Sequence, residues 1–263
     1  MGGQRREADS VNDDGTHLKV ALITGCSGSV GIHIARALSA AGHSVAVGYR
    51  ENQTAAMTVV QEIVDAGGAA CAVKVDLSDP STMRDALATI SSELGGAVSV
   101  LVNNAVAWPE SVEQALPFHT AENDDWAGNI RTNLEGTLHL TRLALGPMVD
   151  VQWGRVITIS TDLVDGSLPA DVSYLAAKGG MTAASHAIAW EVGQFGVTVN
   201  MVAPGLTVEK GRSVPSDVVA GILARTPRRQ LTAASEIASV VAFLASDGAS
   251  AITSQVIRVN GGH

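Results

Sequence analysis

The stretch Val20-Ala21-Leu22-Ile23-Thr24-Gly25-Cys26-Ser27-Gly28-Ser29-Val30-Gly31 joins an apolar run, a glycine-rich turn and the start of a helical pattern. A short run that is apolar at every position suits a strand buried on both faces, as in a parallel sheet. Glycines after such a strand let the backbone approach a pyrophosphate, and the following helix offers it free amides and a favourable dipole. A purely structural βα unit can carry a similar turn, so the loop alone does not separate the two readings.

Working outward, β-rich runs at 18–24, 44–49, 69–75, 98–102, 154–160, 197–202 and 255–259 alternate with helical patterns at 30–41, 53–66, 80–93, 124–149, 172–193 and 233–245. This alternation predicts an α/β Rossmann-type doubly wound sheet of about seven parallel strands with helices on both faces. Gly42 and Gly67-Gly68 follow the first two helices, and Asp79-Pro80 opens the third as cap and first-turn proline. The stretches 105–123, rich in proline and polar residues, and 206–232, containing Pro215 and Pro227, are exceptions to the short connections and are read as loops over the carboxyl edge of the sheet, where open α/β folds bind ligands. Residues 18–263 are read as a single dinucleotide-binding catalytic domain, and 1–17 as a disordered N-terminal tail.

The composition, 46% apolar and 16% charged over 263 residues, fits a large core under helices. A net charge of −9 opposes nonspecific attraction to nucleic acid or anionic membrane. Apolar runs fall short of the ~20 residues that cross a bilayer. The opening segment, with Arg5, Arg6, Glu7, Asp9, Asp13 and Asp14, has no apolar centre, so a cytoplasmic location is expected. Cys26 and Cys71 are far apart and give neither a disulfide framework nor a metal site, so they read as small buried hydrophobes.

Further motifs recur in order: Asp76-Leu77, Asn103-Asn104-Ala105, Asn133, Tyr174 with Lys178, Ala203-Pro204-Gly205, and Gln255 to Gly262. Together they resemble the short-chain dehydrogenase/reductase family over residues 18–262. The family loop, Thr-Gly-three residues-Gly-x-Gly, is met at Thr24, Gly25 and Gly31 but broken at Ser29, and Val106 stands where the family has glycine. Gly28, one place earlier, gives the spacing of an extended branch of the superfamily. The resemblance implies a nicotinamide dinucleotide held by Gly25, Ser27, Gly28, Ser29, Val30, Gly31, Arg50, Asp76, Leu77, Asn104, Ala105, Tyr174, Lys178, Pro204, Gly205 and Thr207. It also implies catalysis by Tyr174, Lys178, Thr161 and Asn133, with no metal, and assembly as a homotetramer or dimer.

Tyr174 and Lys178 are four positions apart, so on a helix they share a face one turn apart. A neighbouring ammonium favours phenolate, and bringing a phenol from ~10 to ~7 takes roughly 4 kcal/mol of differential stabilisation. Such a phenol serves as general acid in reduction and general base in oxidation. Relatives place a serine thirteen positions before the tyrosine, where this chain has Thr161, preceded by Ser160. A threonine hydroxyl can also donate to a carbonyl oxygen, and Ser160 is the second choice because strand side chains alternate. In relatives the asparagine at the position of Asn133 bends a helix and holds a relay water.

The second strand ends Val47-Gly48-Tyr49-Arg50-Glu51. Tyr49 occupies the slot where NAD enzymes place a carboxylate, and Arg50 follows where relatives hold the 2′-phosphate, so NADP(H) is preferred. NAD(H) is the alternative, with Glu51 accepting from the ribose. Within the family, Gly221 to Pro227 and Ile237 to Leu244 are most similar to the 3-oxoacyl-carrier-protein reductase type. A small-molecule carbonyl on a fatty-acyl, polyketide-like or secondary-metabolite scaffold is the leading substrate class, with carrier-protein delivery conceivable through Arg225, Arg228 and Arg229. Trp108 and Phe118 are read as pocket walls or local core. Competing readings are a sugar, steroid or cyclic-alcohol dehydrogenase and a non-catalytic cofactor-sensing protein.

Overall fold

The computed structural model describes residues 19–107, 118–120, 125–165, 170–207 and 214–263. The expected N-terminal tail, Trp108 and most of the loop after the fourth strand lie outside these residues.

Seven strands form one sheet: β1 (Val20–Ile23), β2 (Ser44–Tyr49), β3 (Ala70–Lys74), β4 (Val98–Asn103), β5 (Gly154–Ile159), β6 (Val197–Pro204) and β7 (Val256–Val259). Their order is β3-β2-β1-β4-β5-β6-β7, and each neighbouring pair is parallel. The chain runs outward from β1 in one direction, returns, and runs outward in the other, so the order reverses between β1 and β4. In such sheets the crevice outside the strand ends at the reversal is the ligand position.

Strand alternation sorts β1 between two cores. Ala21 and Ile23 face a cluster with Ile34 and Leu38 of α1 (Ser29–Ala40), Val59 and Ile63 of α2 (Gln53–Asp65), and Val241 and Leu244 of α8 (Ala234–Ala245). Val20 and Leu22 face the opposite cluster with Met83 and Ile90 of α3 (Pro80–Leu94), Leu140 and Met148 of α5 (Thr137–Asp150), and Val192 of α6 (Val172–Val192). Both faces are therefore covered, which explains the unbroken apolar strand.

The local signals placed the elements well. Asp79 caps α3 by accepting from the Ser81 amide, and Gly42 and Gly67 adopt φ of 87° and 86° after α1 and α2. Two expectations change. The stretch 206–232 contains a helix, α7 (Ser216–Arg225), capped by Pro215 with Asp217 in its first turn and Arg225 in its last. The prolines read as loop markers bracket this helix. The pattern at 124–149 divides into α4 (Asp125–Ile130), a π turn at Arg131–Gly136, and α5.

At the amino end of β5 the guanidinium of Arg155 is buried, 2% exposed. It donates to the carbonyls of Gly154 (2.8 Å), Gly196 (3.2 Å) and Ser246 (3.3 Å), and lies 4.4 Å from the centre of the Trp153 ring. Such burial is tolerable only with the donors satisfied. Cys26 and Cys71 are free and buried, and burial pushes their thiols up to about 12 and about 11.

Candidate active site

At the reversal of strand order, the turns after β1 and β4 are bound together by Thr24. Its hydroxyl accepts from the amides of Asn104 (3.0 Å) and Ala105 (2.9 Å) and donates to the Val102 carbonyl (3.4 Å). The Asn104 amide group returns donors to the carbonyls of Thr24 (2.9 Å) and Gly25 (3.2 Å). Gly25 has φ of 70°, and a Cβ there would stand 2.8 Å from the Ala105 Cα, so both conformation and space exclude a side chain.

Helix α1 begins at Ser29 with Gly28 as N-cap, no capping side chain and no acidic residue in its first turn. Its first amides and dipole remain available to an anion. Ser29, the departure from the family pattern, is absent from the positive-φ residues and sits in ordinary helical backbone, so serine imposes no strain. Ser27 is exposed; Gly28, Ser29 and Val30 are half-buried, while Gly31 is buried.

β2 ends at Tyr49, whose carbonyl accepts from the Val75 amide at 2.7 Å. Arg50 and Glu51 follow as an exposed ion pair at 3.1 Å. Asp76 accepts from the amide (2.9 Å) and hydroxyl (2.6 Å) of Ser78. Partial burial pushes its carboxyl up, but the Ser78 bonds and the Arg50 charge outweigh that and hold it below the usual range. Leu77 is buried in the core, and its carbonyl lies against Gly136, where any Cβ would collide with it. The π turn can reach this position only with glycine there.

Asp171 caps α6, accepting from the Tyr174 amide at 2.8 Å and from the Ser173 hydroxyl. Tyr174 and Lys178 both lie on the buried side of α6, with the ammonium 5.8 Å from the phenol ring centre. Lys178 donates to the Ile159 carbonyl at 2.6 Å. Burial pushes its ammonium down from 10.5 to about 8. Ser160 directly follows β5 and its amide donates to the Val202 carbonyl (2.7 Å); Thr161 comes next, its hydroxyl accepting from the Leu163 amide (3.3 Å). Both residues are buried.

Asn133 sits in the π turn. It accepts from the Ala107 amide (2.7 Å) and donates to the Ala107 carbonyl (2.8 Å) and to Asn129. Pro204, the last residue of β6, and Gly205 and Thr207 beyond it are half-buried, and the Gly205 amide donates to the Val259 carbonyl at 3.0 Å. The expected residues thus lie at or just beyond the carboxyl ends of β1, β2, β3, β4, β5 and β6, with Asn133 supplied by the π turn and Tyr174 and Lys178 by α6. Sequence reasoning missed Asn129, Ser173 and Asp171. Asp171, three residues before Tyr174 at a helix start, was findable as an N-cap. Among the described residues no cluster of metal-ligating side chains occurs.

Fold and site define a Rossmann-type α/β protein with a glycine-rich turn at its strand reversal and a buried tyrosine–lysine pair. The family described as enoyl-(acyl carrier protein) reductase matches residues 25–263. The 3-oxoacyl-(acyl-carrier-protein) reductase FabG of Salmonella typhimurium is 36% identical over 245 residues, 93% of this chain and 96% of that protein. Its Escherichia coli counterpart is 35% identical over the same shares. A crystal structure of a candidate gluconate dehydrogenase from Agrobacterium tumefaciens superposes with a TM-score of 0.83 at 28% identity, covering 93% of this chain and 95% of that one. The chain belongs to the short-chain dehydrogenase/reductase family and is an oxidoreductase.

Proposed function

We propose that this oxidoreductase reduces a ketone to a secondary alcohol, with a 3-oxoacyl, polyketide-like or related secondary-metabolite carbonyl as substrate and NADP(H) as cofactor. The observation that carries this reading is the buried Lys178 ammonium beside Tyr174, at the strand ends that flank the glycine-rich turn. The similarity to FabG proteins supports the 3-oxoacyl class and delivery on a carrier protein.

The residues fit a dinucleotide. The cradle at Gly25, which a Cβ would fill, and the uncapped first turn of α1 suit a pyrophosphate. Gly25, Ser27, Gly28, Ser29, Val30 and Gly31 would hold that part, Asp76, Leu77, Asn104 and Ala105 the adenosine side, and Lys178, Pro204, Gly205 and Thr207 the nicotinamide side. A bound nicotinamide supplies or accepts the hydride. Tyr174 delivers the proton to the carbonyl oxygen, and the Lys178 charge makes its phenol more acidic. Thr161 donates a hydrogen bond to the same oxygen as negative charge develops on it. Asn133 holds the π turn in place for proton supply. Arg50, more than half exposed, is available to a 2′-phosphate, with Glu51 as its competitor.

A second reading, oxidation of a sugar-acid hydroxyl by the same residues, is favoured by the likeness to the candidate gluconate dehydrogenase. Assembly into a dimer or tetramer through α5 and α6 is supported by Trp190 on α6, which is 87% exposed. A cytoplasmic location accords with the lack, among the described residues, of any helix long and apolar enough to cross a membrane. The test is a panel of 3-oxoacyl thioesters with NADPH or NADH and a panel of sugar acids with NADP or NAD. Turnover of the thioesters with NADPH supports the first reading; turnover confined to sugar acids replaces it with the second.

A further inference from the structure

Asn129 lies four residues before Asn133, so the two side chains stack on one side of the helical stretch from α4 into the π turn. It is 8% exposed, in an interior where an unpaired amide would be costly. The bonding leaves it no choice of orientation. The Ala107 amide and carbonyl fix which end of Asn133 is oxygen and which is nitrogen. The second Asn133 N–H then needs an acceptor, and the Asn129 oxygen provides it. That turns the Asn129 nitrogen toward the Ser173 hydroxyl, to which it donates at 2.9 Å. Ser173 in turn donates to Asp171, the same carboxylate that accepts from the Tyr174 amide. From Asn133 through Asn129 and Ser173 each of these donors points toward Asp171, so the relay ends on a charge, an arrangement in which bonds strengthen one another.

We propose that Asn129 is a positioning residue that couples the Asn133 turn to the first turn of the tyrosine helix, fixing the loop at Ala107 and Tyr174 relative to each other. Its catalytic consequence rests on the function proposed above, because Asn129 acts only through Asn133 and Tyr174. Replacing it with an apolar residue strands one Asn133 N–H and leaves Ser173 without its donor, so the two turns move independently. An aspartate at 129 keeps the acceptor but loses the donor and adds charge near Asp171.

The test compares the full-length wild type with Asn129→Ala, Asn133→Ala, their double variant and Ser173→Ala, a milder cut at the other end of the link. Amide hydrogen exchange is read at Ala107 and Tyr174, sites 67 positions apart in the chain (174 − 107 = 67). Asn129→Ala and Ser173→Ala should each speed exchange at both amides, whereas faster exchange at only the nearer one, or at neither, overturns the coupling. In NADPH-dependent reduction of acetoacetyl-CoA, Asn129→Ala should lower kcat about tenfold with little change in KM for NADPH. In the Asn133→Ala background it should cost less than about twofold more, since both act through one link. Full additivity overturns the proposal. An inactive wild type with coupled exchange would instead refute the proposed function and leave the link standing. If Asn129→Ala does not fold, Ser173→Ala alone decides through the same two amides.

Discussion

The Lys178 ammonium donates to the Ile159 carbonyl at 2.6 Å, which ties the middle of α6 to the end of β5 just two residues before Thr161. One bond therefore sets the distance between Lys178, proposed to acidify the phenol, and the strand end that leads to Thr161, whose hydroxyl is proposed to orient the substrate. It also explains how a lysine is kept buried, with one donor satisfied and its ammonium pushed down to about 8.

That burial works against stability. With a folded value of about 8 against 10.5 when exposed, Lys178 binds its proton less readily in the folded protein. Its penalty is full below pH 8 and disappears as pH rises from 8 to 10.5. Removing the penalty is worth about 3 kcal/mol, and leaving the Ile159 carbonyl unpaired gives back about 1 kcal/mol. Lys178→Met should thus melt higher than wild type at pH 7 in the absence of cofactor, with the gap closing toward pH 10.5, while kcat falls at least about a hundredfold. Melting curves across this range, with steady-state rates, check both halves. A variant that melts lower at pH 7 contradicts the sign.

Gly25→Ala should lose dinucleotide binding and cost about 2–4 kcal/mol of stability, because a left-handed backbone and the close Ala105 Cα both resist a Cβ. Ser29→Gly, by contrast, alters a helical position and should change stability by less than about 1 kcal/mol. Calorimetric titration with NADPH and denaturant unfolding measure the pair.

Arg50→Ala should weaken NADPH binding about tenfold or more and leave NADH binding within about threefold, since only the 2′-phosphate gains from the guanidinium. Glu51→Gln, which frees Arg50 from its ion partner, should strengthen NADPH binding. Fluorescence titration with each reduced cofactor reads this out; equal losses for both would remove Arg50 from the preference.

Thr161→Ala should reduce kcat for ketone reduction by about 10²-fold, and Thr161→Ser should retain most of it. Ser160→Ala should affect rate less, because Ser160 sits on the last β5–β6 rung whereas Thr161 opens the turn beyond the strand. Reversal of that order would transfer the orienting role to Ser160.

The sheet was legible because β-rich runs alternate with helical patterns, and because β1, apolar at every position, is what a parallel strand buried on both faces requires; polar residues such as Arg155, Thr198, Asn200 and Arg258 stand within the other strands. Glycine and proline punctuation gave the helix ends at Gly42, Gly67 and Asp79-Pro80. The same reasoning failed at Pro215 and Pro227, where prolines flank α7 instead of marking a loop. At the candidate site, the shared buried side of α6 that carries Tyr174 and Lys178 was legible from their spacing, while Asn133 was singled out through family resemblance alone. The supporting chain through Asn129, Ser173 and Asp171 was not, because bonds between residues 44 positions apart arise only when α4 packs on α6. Arg155 was equally hidden, since a charge within a strand gives no hint that carbonyls from two distant turns enclose it.

The most direct test of the central claim is the rate of NADPH-dependent ketone reduction by Tyr174→Phe beside wild type, with NADPH affinity measured on both. Loss of the phenol proton should lower kcat by about 10²–10⁴-fold while NADPH binding stays within about threefold. A Tyr174→Phe enzyme that turns over at the wild-type rate would show that the proton comes from elsewhere.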